Sequence, residues 1–275
     1  METDLPRRGW FATRGLRLVL AVTFLTRLPL PVRGEITPED MRASMGWYPL
    51  VGLGLGAVGY AVYLAGGTIF PATVAAALTI IVLEMCTGAL HLDGVMDTCD
   101  GIGSGAPRER ALEIMKDSRV GAMGVFGATA MLLLKVTALA ALSTAPSIRP
   151  CFLPFRCNEV LVVLLIGWAV ARTIPLWAVT LFPYARAEGT GKAFTAGGSP
   201  WMLGVATACA LLIAFLSAGI AGLLLAAGVI GATLLVLTYL ARRLGGLTGD
   251  VYGMGIELAE LLTLLGWYVV EYLQR

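Results

Sequence analysis

The 275-residue chain is 57% hydrophobic and 14% charged, and its formal net charge is +2. Because average globular domains contain about 25% charged residues, this composition excludes an ordinary water-soluble fold. The small net charge, without a basic stripe, gives no indication of nucleic-acid binding.

The first apolar segment, residues 18–26, is too short to cross a bilayer, which takes about 20 apolar residues. Arg17 and Arg27 flank it, and Pro29 and Pro31 follow. We therefore predict an interfacial or partly inserted helix at the N-terminus. A signal peptide is the alternative, but no small-residue cleavage pattern follows the apolar stretch.

Seven longer apolar runs follow along the chain, each near the length that spans the hydrocarbon core. They cover residues 47–64, 69–92, 120–142, 160–181, 201–216, 220–240 and 256–273. Inside a bilayer the backbone must satisfy its own hydrogen bonds, so each run is expected to be a helix. The sequence predicts an all-α, polytopic integral membrane bundle of about seven transmembrane helices plus the N-terminal interfacial helix. A single domain is expected over residues 1–275.

The distribution of basic residues predicts how this bundle is oriented. If the polar segment 93–119 faces the cytoplasm, the cytoplasmic side receives Arg33, Arg42, Arg108, Arg110, Lys116, Arg119, Arg186, Lys192, Arg242 and Arg243. The other side receives Arg149, Arg156 and Arg275. This bias satisfies the positive-inside rule, so we predict a multi-pass protein of the cytoplasmic (inner) membrane with the polar segment facing the cytoplasm.

Three aspartates in this segment are predicted to lie on one helix face. Asp93, Asp97 and Asp100 stand at i, i+4 and i+7, and no basic residue occurs between positions 84 and 107. Like charges at this spacing destabilise a helix unless a cation lies between them. Oxygen ligands without a cysteine or histidine cluster favour Mg²⁺ or Mn²⁺ over zinc. The pattern therefore predicts a magnesium site.

A second acidic helix is predicted after the glycine-rich turn 101–107. Glu109, Glu113 and Asp117 stand at i, i+4 and i+8, so the two helices would form a hairpin with facing carboxylates. Magnesium shared between carboxylates and substrate phosphates indicates phosphoryl transfer. For Glu109 and Glu113 an ordinary solvated surface remains the alternative, because basic residues lie nearby.

Glu84 and His91 are two further polar residues whose roles the sequence leaves open. They are seven positions apart and share a helix face roughly opposite the three aspartates. Glu84 lies in an apolar run, where an acidic residue is a functional hypothesis by default. His91 is either a catalytic base or a hydrogen-bonded structural histidine.

Two long motifs resemble the signature of the cobalamin synthase family, also called adenosylcobinamide-GDP ribazoletransferases. They are HLDGVMDTCDG at 91–101 and RERALEIMKDSRVG at 108–121. Agreement extends to FLTRLP at 24–29, WYPLVG at 47–52, PYAR at 183–186 with Gly189, Gly191 and Phe194, and GGLTGDVYG at 245–253 with Glu257 and Glu260. The resemblance covers nearly the whole chain.

The resemblance implies an enzyme of the last assembly step of cobalamin biosynthesis. Such an enzyme transfers the adenosylcobinamide phosphate of adenosylcobinamide-GDP to the 5′-hydroxyl of α-ribazole, or of its 5′-phosphate, and releases GMP. Magnesium is the expected cofactor. Membrane lipid is an expected partner, nucleic acid is not, and a homo-oligomer is left open.

The resemblance and the carboxylate spacing together assign the site. The expected metal ligands are Asp93, Asp97, Asp100, Glu113 and Asp117, and the last two are also the candidate catalytic carboxylates, with Asp117 as the candidate general base. The expected substrate-binding residues are Arg108, Arg110, Arg119, Arg186, Arg243, Asp250 and Glu257. Of these, Arg108, Arg110 and Arg119 are candidates to hold the diphosphate, because guanidinium binds phosphate oxygens bidentately.

Two alternative functions remain at this point. A distant likeness to the CDP-alcohol phosphotransferases rests on Asp97-x-x-Asp100-Gly101 and on Glu113-x-x-x-Asp117, but Ile102-Gly103 replaces the Ala-Arg expected after the glycine. A lipid headgroup transferase is therefore the nearer alternative. A cation transporter is the more remote one, since transporters place acids at the bilayer midplane, often in repeated halves, and no internal repeat occurs here.

Overall fold

The computed structural model describes residues 10–32, 35–142, 144, 151–152, 157–186 and 199–273, and this part of the chain is almost entirely helical. Its helices are α1 (Trp10–Leu25), α2 (Pro38–Ser44), α3 (Tyr48–Gly67), α4 (Ala72–Thr87), α5 (Leu90–Gly103), α6 (Arg108–Ile114), α7 (Ala122–Ala140), α8 (Glu159–Ala171), α9 (Ile174–Leu181), α10 (Pro200–Leu244) and α11 (Gly249–Leu273). No strand occurs among the described residues, so the all-α prediction is confirmed.

Several of these helices are long and apolar enough to cross a membrane. Within the described residues there are five, or six when the bent pair α4 and α5 counts as one span. The five are Pro38–Gly67, Ala122–Ala140, Glu159–Leu181, Pro200–Leu244 and Gly249–Leu273. The polytopic membrane fold is therefore confirmed, while the number of seven spans stays a prediction. Helix α1 has 16 residues, and its interfacial position also stays a prediction.

The run 69–92, expected to form one helix, is broken. Helices α4 and α5 meet at 92°, because Gly88 and Ala89 adopt left-handed conformations with φ of 66° and 54°. A left-handed glycine is a common helix terminator, and a side chain at Gly88 would overlap the guanidinium of Arg27. The expectation of one continuous helix is wrong, since apolar residues continue through the bend. The bend places the three aspartates on a helix of their own.

Helix α10 contains a break where the sequence predicts a boundary between two spans. Its 45 residues would extend about 68 Å if straight, roughly twice the hydrocarbon thickness. Ala218 and Gly219 leave helical geometry, at the point between the expected runs 201–216 and 220–240. A side chain at Gly222 would overlap the Ala214 carbonyl, so the two segments approach closely beyond the break.

The second acidic helix is shorter than expected. Helix α6 ends at Ile114, and the amides of Lys116 and Asp117 donate to the carbonyls of Glu113 and Ile114 at 3.0 Å each. These i→i−3 bonds tighten the chain into a turn. The expectation that Asp117 shares a helix face with Glu109 and Glu113 is therefore wrong.

Small residues bring the helices that carry the candidate site into close contact. Helix α8 is buried along nearly its whole length, and α3 packs on it through Gly52 and Gly56, where a side chain would overlap the α8 backbone. Helix α5 packs on α11 in the same way, because a side chain at Gly94 would overlap the carbonyl of Asp250. Such contacts are typical of membrane helices. They place the aspartates of α5 beside the start of α11.

Some sequence expectations concern other parts of the chain. Cys151 and Cys157, whose pairing the sequence leaves open, have bonded sulfur atoms. The basic residues and motif positions that lie outside the described residues are Arg33, Arg149, Arg156, Gly189, Gly191, Lys192, Phe194 and Arg275.

Candidate active site

The polar loops expected on one face of the membrane do lie together at one end of the bundle. The amide of Leu247 donates to the carbonyl of Pro183 at 2.9 Å, and the amide of Ala185 donates back to Leu247 at 2.8 Å. Arg186, next along this loop, forms an ion pair with Asp250 at the start of α11, with Nη1 and Oδ2 2.9 Å apart. The loop before α10 and the loop before α11 are thus fixed to each other.

Two of the arginines expected to bind substrate donate hydrogen bonds to main-chain carbonyls, and their role in substrate binding stays a prediction. Arg108 Nε donates to the carbonyl of Leu244, the last residue of α10, at 2.7 Å. Arg243 Nη2 donates to the carbonyl of Ala106 at 2.7 Å. Cations suit the carbonyl end of a helix. Arg108 and Arg243 therefore attach the α5–α6 turn to the end of α10.

Four aspartates form a strongly acidic surface on α5 and at the start of α11. Asp93 is exposed, Asp97 and Asp100 are half-buried, and Asp250 lies beside them across the α5–α11 contact. The main electrostatic neighbours of Asp97 are Asp250, Asp93 and Asp100, opposed by Arg186. Four carboxylates thus face one guanidinium, and that guanidinium is already paired with Asp250. We call this group of four the aspartate face.

Asp100 has a second task that its sequence position does not reveal. Its Oδ2 accepts from the amide of Gly121, and its Oδ1 accepts from the amide of Gly124, each at 2.7 Å. A side chain at either glycine would overlap the carboxylate. Asp100 therefore fixes the start of α7, and a metal would be bound through its remaining lone pairs.

A cavity of about 310 Å³ lies between α6 and the start of α7, and we call it the polar cavity. Asp100, Glu113, Asp117, Arg110 and Arg119 line it. Arg110 Nη1 lies 2.9 Å from Glu113 Oε2, and Arg119 Nη2 lies 2.8 Å from Asp117 Oδ2. Exposed ion pairs are weak, so phosphate oxygens can compete for both arginines. Three expected metal ligands and two expected diphosphate ligands thus line one cavity, although among the described residues the oxygens of these three carboxylates do not all lie within 4.8 Å of one another.

Asp117 is a poor proton acceptor while Arg119 holds it. Hydrogen bonds from the side chain and the backbone amide of Arg119 lower the pKa of Asp117 to about 2. A general base works best when its pKa is near the operating pH. A role of Asp117 as base therefore requires that the Arg119 guanidinium first move to another anion.

A second cavity, of about 110 Å³, lies at the other end of the aspartate face, and we call it the apolar cavity. Asp93 and Asp250 belong to its wall, together with His91 and Tyr252. The rest of the lining is almost entirely apolar and comes from α1, α9, α11, the segment at the start of α3 that includes Met45, and Leu90 of α5.

A buried ion network, which we call the Lys135 network, contributes no residue to the lining of either cavity. Lys135 Nζ is 2.5 Å from Glu257 Oε2, 2.6 Å from Glu260 Oε2 and 3.7 Å from Glu84 Oε1. Arg172 pairs with the other oxygen of Glu260. Among the described residues these three glutamates form a set whose oxygens lie within 4.8 Å of one another, and the lysine ammonium is the cation among them.

Comparison with known proteins identifies the family. A model of the Cobalamin-5-phosphate synthase family matches residues 17–268. A protein of Desulfitobacterium hafniense named adenosylcobinamide-GDP ribazoletransferase is 42% identical over 93% of this chain and 98% of its own. Proteins of the same name from Brevibacillus brevis and Leptothrix cholodnii are 39% and 36% identical, over 89% and 90% of this chain and 94% and 93% of their own. The chain belongs to the cobalamin-5-phosphate synthase family. No solved structure matches it.

Membership of the cobalamin-5-phosphate synthase family confirms the resemblance seen in the sequence motifs and the prediction of an enzyme, a transferase of cobalamin biosynthesis. The matched region runs from α1 into α11 and contains both cavities and the aspartate face. The alternatives of a lipid headgroup transferase and a cation transporter have no comparable support.

Sequence reasoning missed Lys135 and Arg172 in this member of the cobalamin-5-phosphate synthase family. Both lie in apolar runs, where an ionisable residue marks a functional or structural site by default. Their partners explain Glu84 and Glu257 as members of a buried ion network. Glu257 lines neither cavity, so the structure does not place it with the substrate-binding candidates.

Proposed function

We propose that this enzyme transfers the adenosylcobinamide phosphate of adenosylcobinamide-GDP to the 5′-hydroxyl of α-ribazole or of its 5′-phosphate. The hydroxyl oxygen bonds to the cobinamide-side phosphorus, and the bond from that phosphorus to the bridging oxygen breaks. GMP leaves, and the hydroxyl proton passes to a carboxylate. The observation that carries the proposal is an acidic helix face between a polar and an apolar cavity, in a chain whose relatives are named for this transfer. The site is proposed to face the cytoplasm.

The polar cavity offers the groups that bind a diphosphate. Arg110 and Arg119 each hold an exposed carboxylate, and a diphosphate presents more oxygens and more charge than either acid. When the Arg119 guanidinium binds phosphate, Asp117 loses the two hydrogen bonds from that side chain and becomes a better proton acceptor, while the backbone amide of Arg119 still donates to it. Substrate binding therefore prepares Asp117 to act as base in this proposal.

The aspartate face offers carboxylate oxygens, the ligands that a hard divalent cation prefers. Its four carboxylates carry more negative charge than the single guanidinium of Arg186 can balance. We assign Asp93, Asp97 and Asp100 of this face, together with Glu113 and Asp117 of the polar cavity, as the residues that would hold Mg²⁺. Since Mg²⁺ usually takes one or two carboxylates together with substrate phosphates, these residues need not all bind at once. When bound, the ion would neutralise charge on the diphosphate.

The test is release of GMP by purified protein in detergent, given adenosylcobinamide-GDP, α-ribazole and Mg²⁺. EDTA should abolish the activity, and Mg²⁺, or Mn²⁺ as a substitute, should restore it. Detergent removes any sealed compartment, so turnover there also excludes a transporter. No GMP release with both substrates and Mg²⁺ would overturn the proposal, and restoration by Zn²⁺ alone would contradict the oxygen-ligand assignment.

The Asp97→Asn variant tests the aspartate face itself. Loss of one charge that stabilises the transition state should lower the rate by about 10²–10³-fold, equivalent to roughly 3–4 kcal/mol. Glu109→Gln is the matched control, because Glu109 has a 78% exposed side chain and should change stability by less than about 0.5 kcal/mol. Asp100→Asn should lose activity and also stability. The asparagine side chain has one oxygen, whereas the backbone N–H groups of Gly121 and Gly124 each bond to a separate oxygen of Asp100. Wild-type rates in both aspartate variants would refute the metal site.

A further inference from the structure

The wall of the apolar cavity combines apolar side chains with two of the four carboxylates of the aspartate face. Its apolar members include Phe24, Leu25, Met45, Leu90, Val179 and Ile256. The Phe24 and Tyr48 rings are stacked, with centroids 6.2 Å apart. A ligand in this cavity would contact aliphatic and aromatic surface while remaining next to Asp93 and Asp250.

Three residues of this wall carry a buried polar atom that has no hydrogen-bond partner among the described residues. These atoms are the hydroxyls of Tyr48 and Tyr252 and Nδ1 of His91, in residues that are 1%, 7% and 3% exposed. Buried polar atoms nearly always have a partner, so each such exception requires an explanation. An apolar cavity with three unpartnered polar atoms in its wall residues is complementary to a flat apolar ligand that carries a few polar atoms.

The size of the cavity selects among the chemical groups of the proposed substrates. At about 110 Å³ it is far too small for a corrin macrocycle. It is smaller than the roughly 150 Å³ cavity that accepts a benzene ring, so a fused aromatic base enters only when side chains of the wall move apart, as interface side chains commonly do on binding. Guanine carries polar groups on most of its edge and suits the polar cavity better. The base of ribazole is aromatic and largely apolar.

We propose that the apolar cavity binds the aromatic base of the accepting nucleoside. This inference rests on the proposed function and deepens it by separating the two substrates. Asp93 in the apolar cavity and Asp100 in the polar cavity lie about 10 Å apart along α5, as expected for seven residues of helix. The attacking hydroxyl therefore reaches the phosphorus from one end of the aspartate face, and GMP leaves toward the other end. In-line displacement requires this arrangement.

Filling the cavity tests this assignment. Val179→Phe places a larger side chain in the wall, and its matched control is Val229→Phe, in a different apolar groove. In Val179→Phe the KM for α-ribazole should rise about tenfold or more, the loss expected when two methyl-sized groups no longer fit. The KM for adenosylcobinamide-GDP should stay within about twofold, because only one substrate loses its space. The control should leave both values near wild type.

Tyr252→Phe removes an unpartnered hydroxyl and keeps the ring, so it separates binding from folding. Because this hydroxyl has no partner among the described residues, thermal stability should not fall. The KM for α-ribazole should rise about fivefold if the hydroxyl bonds to the base. A fall in stability with an unchanged KM would indicate a structural role and contradict the assignment.

The wild-type enzyme provides a third measurement that does not depend on folding of a variant. Acceptors whose base lacks a methyl group should show a KM about fourfold higher for each methyl removed. Absence of GMP release with any acceptor would reject the proposed function itself. GMP release with an α-ribazole KM that is indifferent to base methylation, to Val179→Phe and to Tyr252→Phe would reject the cavity as the base site and leave the transfer reaction standing.

Discussion

Replacing Lys135 by methionine keeps most of the side-chain volume but removes the cation from among three carboxylates. The lysine side chain is fully buried, and Glu257 and Glu260 have 2% exposed side chains. Glu260 keeps Arg172 as a partner, so the loss falls mainly on Glu257. A buried carboxylate without a cation takes up a proton instead of staying charged.

The cost of that proton uptake sets the size of the effect. Neutralising a glutamate at pH 7 costs about 1.4 kcal/mol for each pH unit above its ordinary pKa of about 4.3, roughly 4 kcal/mol in total. Breaking a buried ion pair costs about 3–5 kcal/mol, which agrees. Neutral hydrogen bonds between membrane helices contribute only about 0.6 kcal/mol, so most of the stability change comes from losing the Lys135 charge and not from losing its hydrogen bonds. We expect Lys135→Met to lose about 3–4 kcal/mol, or roughly 6–16 °C in Tm.

The assay is thermal unfolding of the purified protein in detergent at pH 7 and pH 5. In the variant the folded state binds one proton more than the unfolded state at pH 7, so its stability should rise relative to wild type as the pH falls. Lys116→Met is the matched control, since Lys116 is exposed, and the double variant Lys135→Met/Glu257→Gln should recover most of the lost stability. A Tm for Lys135→Met within about 2 °C of wild type, or a double variant no more stable than the single one, would refute the reasoning.

Three further outcomes follow from individual contacts. In Glu84→Gln, stability should change little or increase, because Glu84 is the most distant carboxylate of the Lys135 network, with one oxygen unpartnered among the described residues; a large Tm loss would contradict this. Hydrogen bonds from Arg119 lower the pKa of Asp117 to about 2. The stability that this ion pair adds to the folded protein is therefore present above about pH 4 and is lost as the pH falls toward 2. The Tm difference between wild type and Arg119→Met should therefore be larger at pH 5 than at pH 2, and an equal difference at both would exclude this pair as its cause. Single cysteines at exposed Ser104 and Thr68 should label from the cytoplasm and from outside, respectively, and the reverse pattern would overturn the proposed orientation.

The features that the sequence predicted correctly are local in the chain. Apolar runs near 20 residues predicted helices that span a membrane, because a bilayer leaves the backbone no other partner. The i, i+4 and i+7 spacing of Asp93, Asp97 and Asp100 predicted one face of one helix, and α5 does carry all three. The break at Gly219 also coincides with a predicted boundary. Each of these depends on residues within a few turns of one another.

The failures occurred where the chain changes direction without a strong local signal. The left-handed pair Gly88 and Ala89 lies in an apolar sequence that reads equally well as continuous helix. Asp117 keeps helical spacing with Glu113, although α6 has already ended at Ile114. Both results are set by packing of the neighbouring segments, which side-chain periodicity does not record.

Composition and motifs by themselves determined that this protein is a helical membrane enzyme of a recognisable family, with its acids gathered on α5 and in the following loop. Tertiary structure alone decided which charges are paired. Lys135 and Glu257 are 122 positions apart, and Asp100 meets Gly121 only because α7 begins beside α5. Ion pairs and caps between distant segments depend on which helices pack together. Apolar helix surfaces can pack equally well in several arrangements, so the sequence of one chain does not show which helices become neighbours.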